Sequence, residues 1–152
     1  MTGHEIQPFN IIGISVRTTN EGGQMGIDIP ALWHRFASEN IMEKIPNRID
    51  NTIYCIYTEY EGDYTKPYTT LLGCKVRNLE EIPAGLIGKE FGSGNYNKYV
   101  AKGSILQGSV FEQWQHIWSL NLPRTYSYDF EVYGEKTQDL ENAEVDIFIA
   151  VG

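Results

Sequence analysis

Twice along this chain an apolar strand is followed by a helical stripe and then by a pair of strands. Residues 4–17, HEIQPFNIIGISVR, read as a strand, with Pro8 early and a β-branched apolar run after it. Residues 29–41 read as a helix, because Ile29, Leu32, Trp33 and Phe36 fall at i, i+3, i+4 and i+7. Asp28 is its expected N-cap, with Pro30 in the first turn. TIYCIYTEY and YTTLLGCKV then form two strands around the turn signal EGDYTK. The second half repeats the order. EIPAGLIGKEF echoes EIQPFNIIGIS; SILQGSVFEQWQHIWSL carries Leu106, Val110, Trp114, Ile117 and Trp118 on one helical face, with Ser104 as cap; SYDFEVYGE and AEVDIFIAV close the series. Such self-similarity is the mark of an internal duplication. The expectation is a single α+β domain built from two β-α-β-β repeats, about 1–78 and 79–152, with pseudo-twofold symmetry. Its antiparallel sheet would carry both helices on one face and a ligand cleft on the other.

Charge and composition narrow the partners. Twelve Lys and Arg stand against 20 Asp and Glu, a net charge of −8. Phosphate backbones are bound by clustered basic residues, so a nucleic-acid partner is not expected. No apolar stretch approaches the roughly 20 residues of a membrane span, and no basic-then-apolar leader opens the chain. A cytoplasmic address with both cysteines, Cys55 and Cys74, reduced is the expectation. Two cysteines and three scattered histidines give no zinc spacing, and no metal, cofactor or catalytic nucleophile series is expected.

One carboxylate stands out. In YDFEVY, Glu131 lies between Phe130 and Val132. Alternation places Tyr128, Phe130 and Val132 on one face of the strand and Asp129, Glu131 and Tyr133 on the other. The apolar set is expected to face the helices, leaving Glu131 on the open side. Matching polarity on the closing strand would bring Glu144 or Asp146 beside it. By itself this pattern also suits a solvated carboxylate on an exposed strand face.

The series IPALWHRF, YTTLLGCKV, EIPAGLIGKEFGSGNYNKYVAKGS, VFEQWQHIW, DFEVY and VDIFIAV resembles, in order and spacing, the gyrase-inhibitor-like family. That family includes the effector-binding domains of AraC-type and MerR-type multidrug regulators, and the nearest type is the stand-alone integron-associated effector-binding protein. The resemblance covers essentially the whole chain. It implies a tandem β-α-β-β fold around a ligand cleft, with a signature glutamate that maps onto Glu131 at the base of an aromatic pocket for organic cations. The physics suits that role: rings stack on flat apolar cations and attract them by about 0.5–2 kcal/mol per contact, while a carboxylate selects positive charge. The candidate pocket residues are Glu131, Trp33, Phe36, Tyr57, Tyr96, Trp114 and Tyr133. Trp33 and Phe36 equally suit core packing, Trp114 a buried core position, and Tyr96 a surface tyrosine in a Gly-rich turn. Tyr54 and Tyr57 lie on opposite faces of their strand, so one of the two reaches the open side, with Tyr57 taken into the candidate set.

No basic recognition helix is visible, so the chain is expected to be a sensor without a DNA reader, binding cationic amphipathic small molecules for transcriptional regulation or drug sequestration. Two alternatives stand beside this. One is a small-molecule hydrolase using Glu131 with Tyr133 or Tyr96 as acid and base. The other is an interaction module with a protein partner, by analogy with the gyrase-inhibiting members.

Overall fold

The computed structural model describes residues 3–152. Its strands are β1 (Gly3–Ile6), β2 (Phe9–Thr18), β3 (Ile53–Thr58), β4 (Tyr68–Val76), β5 (Ile87–Phe91), β6 (Gly94–Gly103), β7 (Tyr128–Tyr133) and β8 (Ala143–Ala150). The helices are α1 (Met25–Ser38), the single turn α2 (Ile41–Lys44) and α3 (Ser109–Ser119). All strands join one antiparallel sheet in the order β1-β6-β8-β7-β3-β4-β2-β5. This order is symmetric about the β7–β3 seam: β6-β8-β7 on one side answers β2-β4-β3 on the other. The outermost strands are exchanged, since β1 leads into β2 but pairs with β6, and β5 leads into β6 but pairs with β2.

The exchange forces the sheet to curl. Only Gly92 and Ser93 connect β5 to β6, although five strands lie between them in the sheet order. β5 and β7 are four steps apart, about 19 Å in a flat sheet. Yet the Phe91 and Tyr128 ring centroids are 4.9 Å apart, and the Tyr128 hydroxyl donates to the Gly92 carbonyl at 2.5 Å. The inside of the curl is an aromatic core that includes Phe9, Tyr54, Phe91, Tyr96, Tyr128 and Phe130. Close strand approach is permitted by a glycine pair: Gly13 of β2 faces Gly73 of β4. A Cβ on Gly13 would lie 2.0 Å from the Leu72 carbonyl oxygen, and one on Gly73 would lie 2.3 Å from that of Ile12.

Both long helices lie on the outer face. α1 sets Leu32 and Phe36 among Ile12, Ile14, Leu72 and Cys74. α3 sets Trp114 and Ile117 among Ala101, Val145, Ile147 and Ile149. The helices thus cover the β2–β4 and β6–β8 flanks and leave a trough along the seam strands β3 and β7. Cys55 and Cys74 are both buried free thiols. No described helix is long and apolar enough to cross a membrane.

The α+β class, the antiparallel sheet and the shared helix face agree with the sequence reading; several elements differ. The strand expected over 4–17 breaks at Gln7 and Pro8, where Pro cannot donate to the ladder. Of 81–91 only Ile87–Phe91 is strand, and the Gly-rich stretch after it, read as a turn, is the ten-residue strand β6. The sequence echo is therefore not the structural repeat: Ile12 and Gly13 pair with Gly88 and Ile87 across the β2–β5 ladder, while β6 occupies the place equivalent to β2. α1 begins at Met25, so Asp28 and Pro30 lie inside it, and Asp28 accepts from the Gln24 side chain at 3.1 Å instead of capping. α3 begins at Ser109, which leaves Ser104 outside the helix and Leu106 70% exposed.

Candidate functional site

Glu131 sits on the floor of the trough and is 2% exposed. Antiparallel register places it opposite Cys55 of β3 and Ile147 of β8. One carboxylate oxygen accepts from the Trp114 indole at 2.5 Å and the Tyr57 hydroxyl at 2.8 Å; the other accepts from the Tyr133 hydroxyl at 2.6 Å. Each donor comes from a different part of the fold: α3, β3 and the end of β7. Burial pushes the Glu131 carboxyl above its ordinary range, and the donors from Tyr133, Trp114, Tyr57 and Cys55 only partly offset this. Burial also pushes the hydroxyls of Tyr57 and Tyr133 and the Cys55 thiol well up, with Cys55 and Glu131 adding to it at Tyr57 and Glu131 adding at Tyr133 and Cys55, so all three stay neutral around Glu131. Among the described residues no Lys, Arg or His pairs with this carboxylate.

Above the floor is a cavity of about 560 Å³ between α1 and α3. α1 contributes Met25, Ile29, Pro30 and Trp33; α3 contributes Val110, Phe111, Trp114 and Trp118. Trp33 meets Tyr133 edge-on at 4.8 Å, and Tyr57 meets Trp114 edge-on at 5.4 Å. The hairpin between β3 and β4 closes one side. There Tyr64 stacks on Trp118 at 5.5 Å and 9°. Asn20 donates to the Tyr64 carbonyl at 2.8 Å and accepts from the Tyr68 hydroxyl at 2.6 Å, which pins that hairpin to the start of the α1 segment.

A second buried carboxylate lies two positions along β7. Asp129 is fully buried, and one of its oxygens accepts from Arg124 at 2.8 Å and from the Tyr60 hydroxyl at 2.5 Å. Its other oxygen accepts from the Ala150 backbone N–H at 2.8 Å. Burial raises the Asp129 carboxyl too, against the pull of Arg124, Tyr60 and Ala150.

These two raised carboxyls carry a pH signature. A group whose folded-state affinity for the proton exceeds its unfolded one makes stability fall as pH rises through the interval between the two values. For Glu131 that interval starts at 4.5 and runs upward. The ligand-free protein is therefore expected to lose the Glu131 contribution as pH rises from that value. The measurement is thermal unfolding of wild type and Glu131→Gln across pH 4.5–8: the variant's melting temperature relative to wild type should climb with pH and then level off. A pH-independent difference would show that Glu131 titrates as an ordinary surface carboxyl.

The structure gathers five of the seven candidate residues, Glu131, Trp33, Tyr57, Trp114 and Tyr133, around one cavity. Phe36 and Tyr96 are elsewhere. Phe36 is buried against the sheet one turn below Trp33. Tyr96 is 0% exposed inside the curl, where its hydroxyl donates to the Tyr128 carbonyl at 2.9 Å; it belongs to a strand, not to a surface turn. The cavity also opens on the helix face rather than the opposite one, because the opposite face is filled by the aromatic core of the curl. Glu144 and Asp146 lie on that other face, with Asp146 opposite Val132 and paired to Lys98 and Lys136. Tyr60, Tyr64, Tyr68 and Arg124 line the cavity without any signal taken from the sequence, and Trp118, expected on the α3 stripe, lines it too. Tyr68 was findable by alternation, since it shares a face of β4 with Thr70, the register partner of Tyr57. Tyr60 was not, because Glu59 has φ +54 and breaks the alternation just before it.

Known proteins share this fold. An integron cassette protein from the mobile metagenome of Vibrio cholerae, VCH_CASS2, superposes with a TM-score of 0.77 at 29% identity over 99% of this chain and 95% of its own. The structure of SAV2435 bound to tetraphenylphosphonium shares the fold at a TM-score of 0.79 and 17% identity, covering 99% of this chain and 93% of that one. The regulator-like protein YobU of Bacillus subtilis (strain 168) is 25% identical over 144 residues, 91% of this chain and 89% of YobU. The model of the integron-associated effector binding protein matches residues 4–151, and with that match over nearly its whole length the chain belongs to the integron-associated effector-binding protein family.

Proposed function

We propose that the cavity binds aromatic or amphipathic small molecules carrying a positive charge, with Glu131 as the charge-selecting residue. The observation that carries this is a contrast on one strand. Asp129 is buried with Arg124 as its counter-ion, whereas Glu131, two residues on, is buried under an aromatic cavity with neutral donors only. A desolvated carboxylate without a cation is costly. A ligand cation entering the cavity supplies the missing charge, and the rings of Trp33, Trp118, Tyr64 and Tyr68 supply stacking and cation–π attraction. The tetraphenylphosphonium bound to the fold neighbour SAV2435 supports this ligand class. The geometry favours holding over hydrolysis: Tyr57 and Tyr133 both donate to Glu131, and burial pushes their hydroxyls far from the range of a general base. On this reading the protein is an effector-binding module that reports or sequesters its ligand.

The test is calorimetric titration with tetraphenylphosphonium and with tetraphenylborate, which has the same shape and the opposite charge. At about 0.3 kcal/mol per non-hydrogen atom, a ligand of about 25 such atoms gains about 7.5 kcal/mol, a dissociation constant on the order of a few micromolar. The cation is expected to bind in that range and the anion not to bind. Equal affinities would sink the role of Glu131 as a charge filter.

A further inference from the structure

Glu131 borders the cavity, yet its carboxylate has little left with which to hold a ligand directly. A carboxylate offers about four lone-pair sites. One oxygen already accepts from the Trp114 indole at 2.5 Å and the Tyr57 hydroxyl at 2.8 Å, and the other from the Tyr133 hydroxyl at 2.6 Å. All three are fully formed bonds by distance. The Cys55 thiol completes the ring of donors, beside the carboxylate and 3.4 Å from the Tyr57 hydroxyl. With the residue almost wholly buried, its charge acts on the cavity while its lone pairs are turned to the protein. Other polar groups of the lining are committed as well. Tyr60 donates to Asp129, and Tyr68 donates to Asn20, whose amide nitrogen donates to the Tyr64 carbonyl. Among the described lining residues there is no second carboxylate.

We propose that the site selects cations that carry no hydrogen-bond donor, such as quaternary ammonium or phosphonium centres, over protonated amines of the same size and charge. This preference rests on the reading of the cavity as a cation site and names the chemical class within it. A donor-free cation leaves water without breaking a strong hydrogen bond, and it needs only the field of Glu131 and the faces of the rings. A protonated amine gives up a charged N–H bond to water on entry and finds no carboxylate lone pair to replace it. The phenolic oxygens that could still accept are neutral, and those of Tyr57 and Tyr133 are fixed in direction by their own donation to Glu131. The three donors therefore have two effects: they hold the buried carboxylate in place, and they deny it to the N–H groups of a ligand. Positive charge alone does not admit a ligand to such a site.

The experiment compares two isomers of the same formula and charge, (diphenylmethyl)trimethylammonium and protonated N,N-dimethyl-2,2-diphenylethylamine. The first has no N–H and the second has one. Both are titrated calorimetrically at neutral pH into wild type and into Glu131→Gln. In wild type the quaternary isomer is expected to bind about tenfold more tightly, as for one unreplaced hydrogen bond to a charged group. In Glu131→Gln both isomers should weaken by the same factor, because the carboxylate acts on both through charge alone, and the preference should persist. The wild-type comparison stands even if the variant fails to fold. Equal or tighter binding of the amine by wild type overturns the proposal and leaves the cation reading intact. The Gly26 carbonyl, which Pro30 deprives of its helical donor, would then be a candidate acceptor in the lining. A larger loss for the amine than for the quaternary isomer in Glu131→Gln overturns the proposal as well, because Glu131 would then be accepting from the ligand. Binding of neither isomer, or no loss for either in Glu131→Gln, overturns both readings.

Discussion

Glu131→Gln is expected to weaken tetraphenylphosphonium binding by about ten- to a hundredfold while leaving the fold at least as stable as wild type. A phosphonium makes no hydrogen bond, so the loss is that of charge attraction. At about 7 Å and an effective dielectric of about 20, two unit charges attract by about 2.4 kcal/mol, or roughly sixtyfold in affinity. The fold should tolerate the change because the amide keeps what the donors need. Its oxygen can accept from Trp114 and Tyr57, which share one carboxylate oxygen, and its NH₂ can donate to the Tyr133 hydroxyl, which is able to accept. Removal of a buried charge also lifts a desolvation penalty. The measurements are calorimetric titration and thermal unfolding of both proteins. Unchanged affinity would mean that the carboxylate plays no part in holding the cation. A large fall in melting temperature would mean that its three donors do need a full negative charge.

The chemistry of the site was more legible in the sequence than its position. Alternation along YDFEVY correctly grouped Asp129, Glu131 and Tyr133 on one face. It misassigned which face that was, because alternation in a flat sheet implies one apolar side facing helices and one open side. A curled sheet has no open side. Tyr128 and Phe130 are apolar because they fill the inside of the curl, and the Glu131 face is covered in its turn by the two helices. The curl itself is set by the exchange of β1 and β5, a pairing between residues far apart in sequence that no local pattern records. The helix stripes told a similar story. Their spacing identified α1 and α3, but the same stripe serves two purposes: Leu32 and Phe36 reach the sheet while Trp33 turns to the cavity. Which residue does which depends on where the neighbouring helix lies. Tyr96 shows the limit from the other side. Its Gly-rich surroundings read as a turn, yet Gly94 and Gly103 bracket a strand whose pairing with β1 and β8 overrides local propensity.

The largest stability effect is expected where those long-range pairings are tightest. Gly13→Ala should cost about 3 kcal/mol or more. A new Cβ would meet the Leu72 carbonyl oxygen at 2.0 Å and the Gly73 Cα at 2.7 Å, and both are backbone atoms that no rotamer change can move. Strands β2 and β4 would have to separate at the centre of a nine-pair ladder that supports α1 on one face and the curled core on the other. For a chain of this length the loss corresponds to a fall of about 6–12 °C in melting temperature. Gly26→Ala is the control: it lies in α1, a Cβ there meets nothing within 4 Å, and alanine in a helix should gain about 0.5–1 kcal/mol. The close approach also predicts coupling. Gly73→Ala alone should resemble Gly13→Ala, because its Cβ would meet the Ile12 carbonyl oxygen at 2.3 Å. Once one alanine has pushed the strands apart, the second finds space already opened, so the double variant should lose clearly less than the sum of the two. Denaturant unfolding of the four proteins measures this. Strict additivity, or a Gly13→Ala protein as stable as wild type, would mean that the two backbones do not press together at this pair.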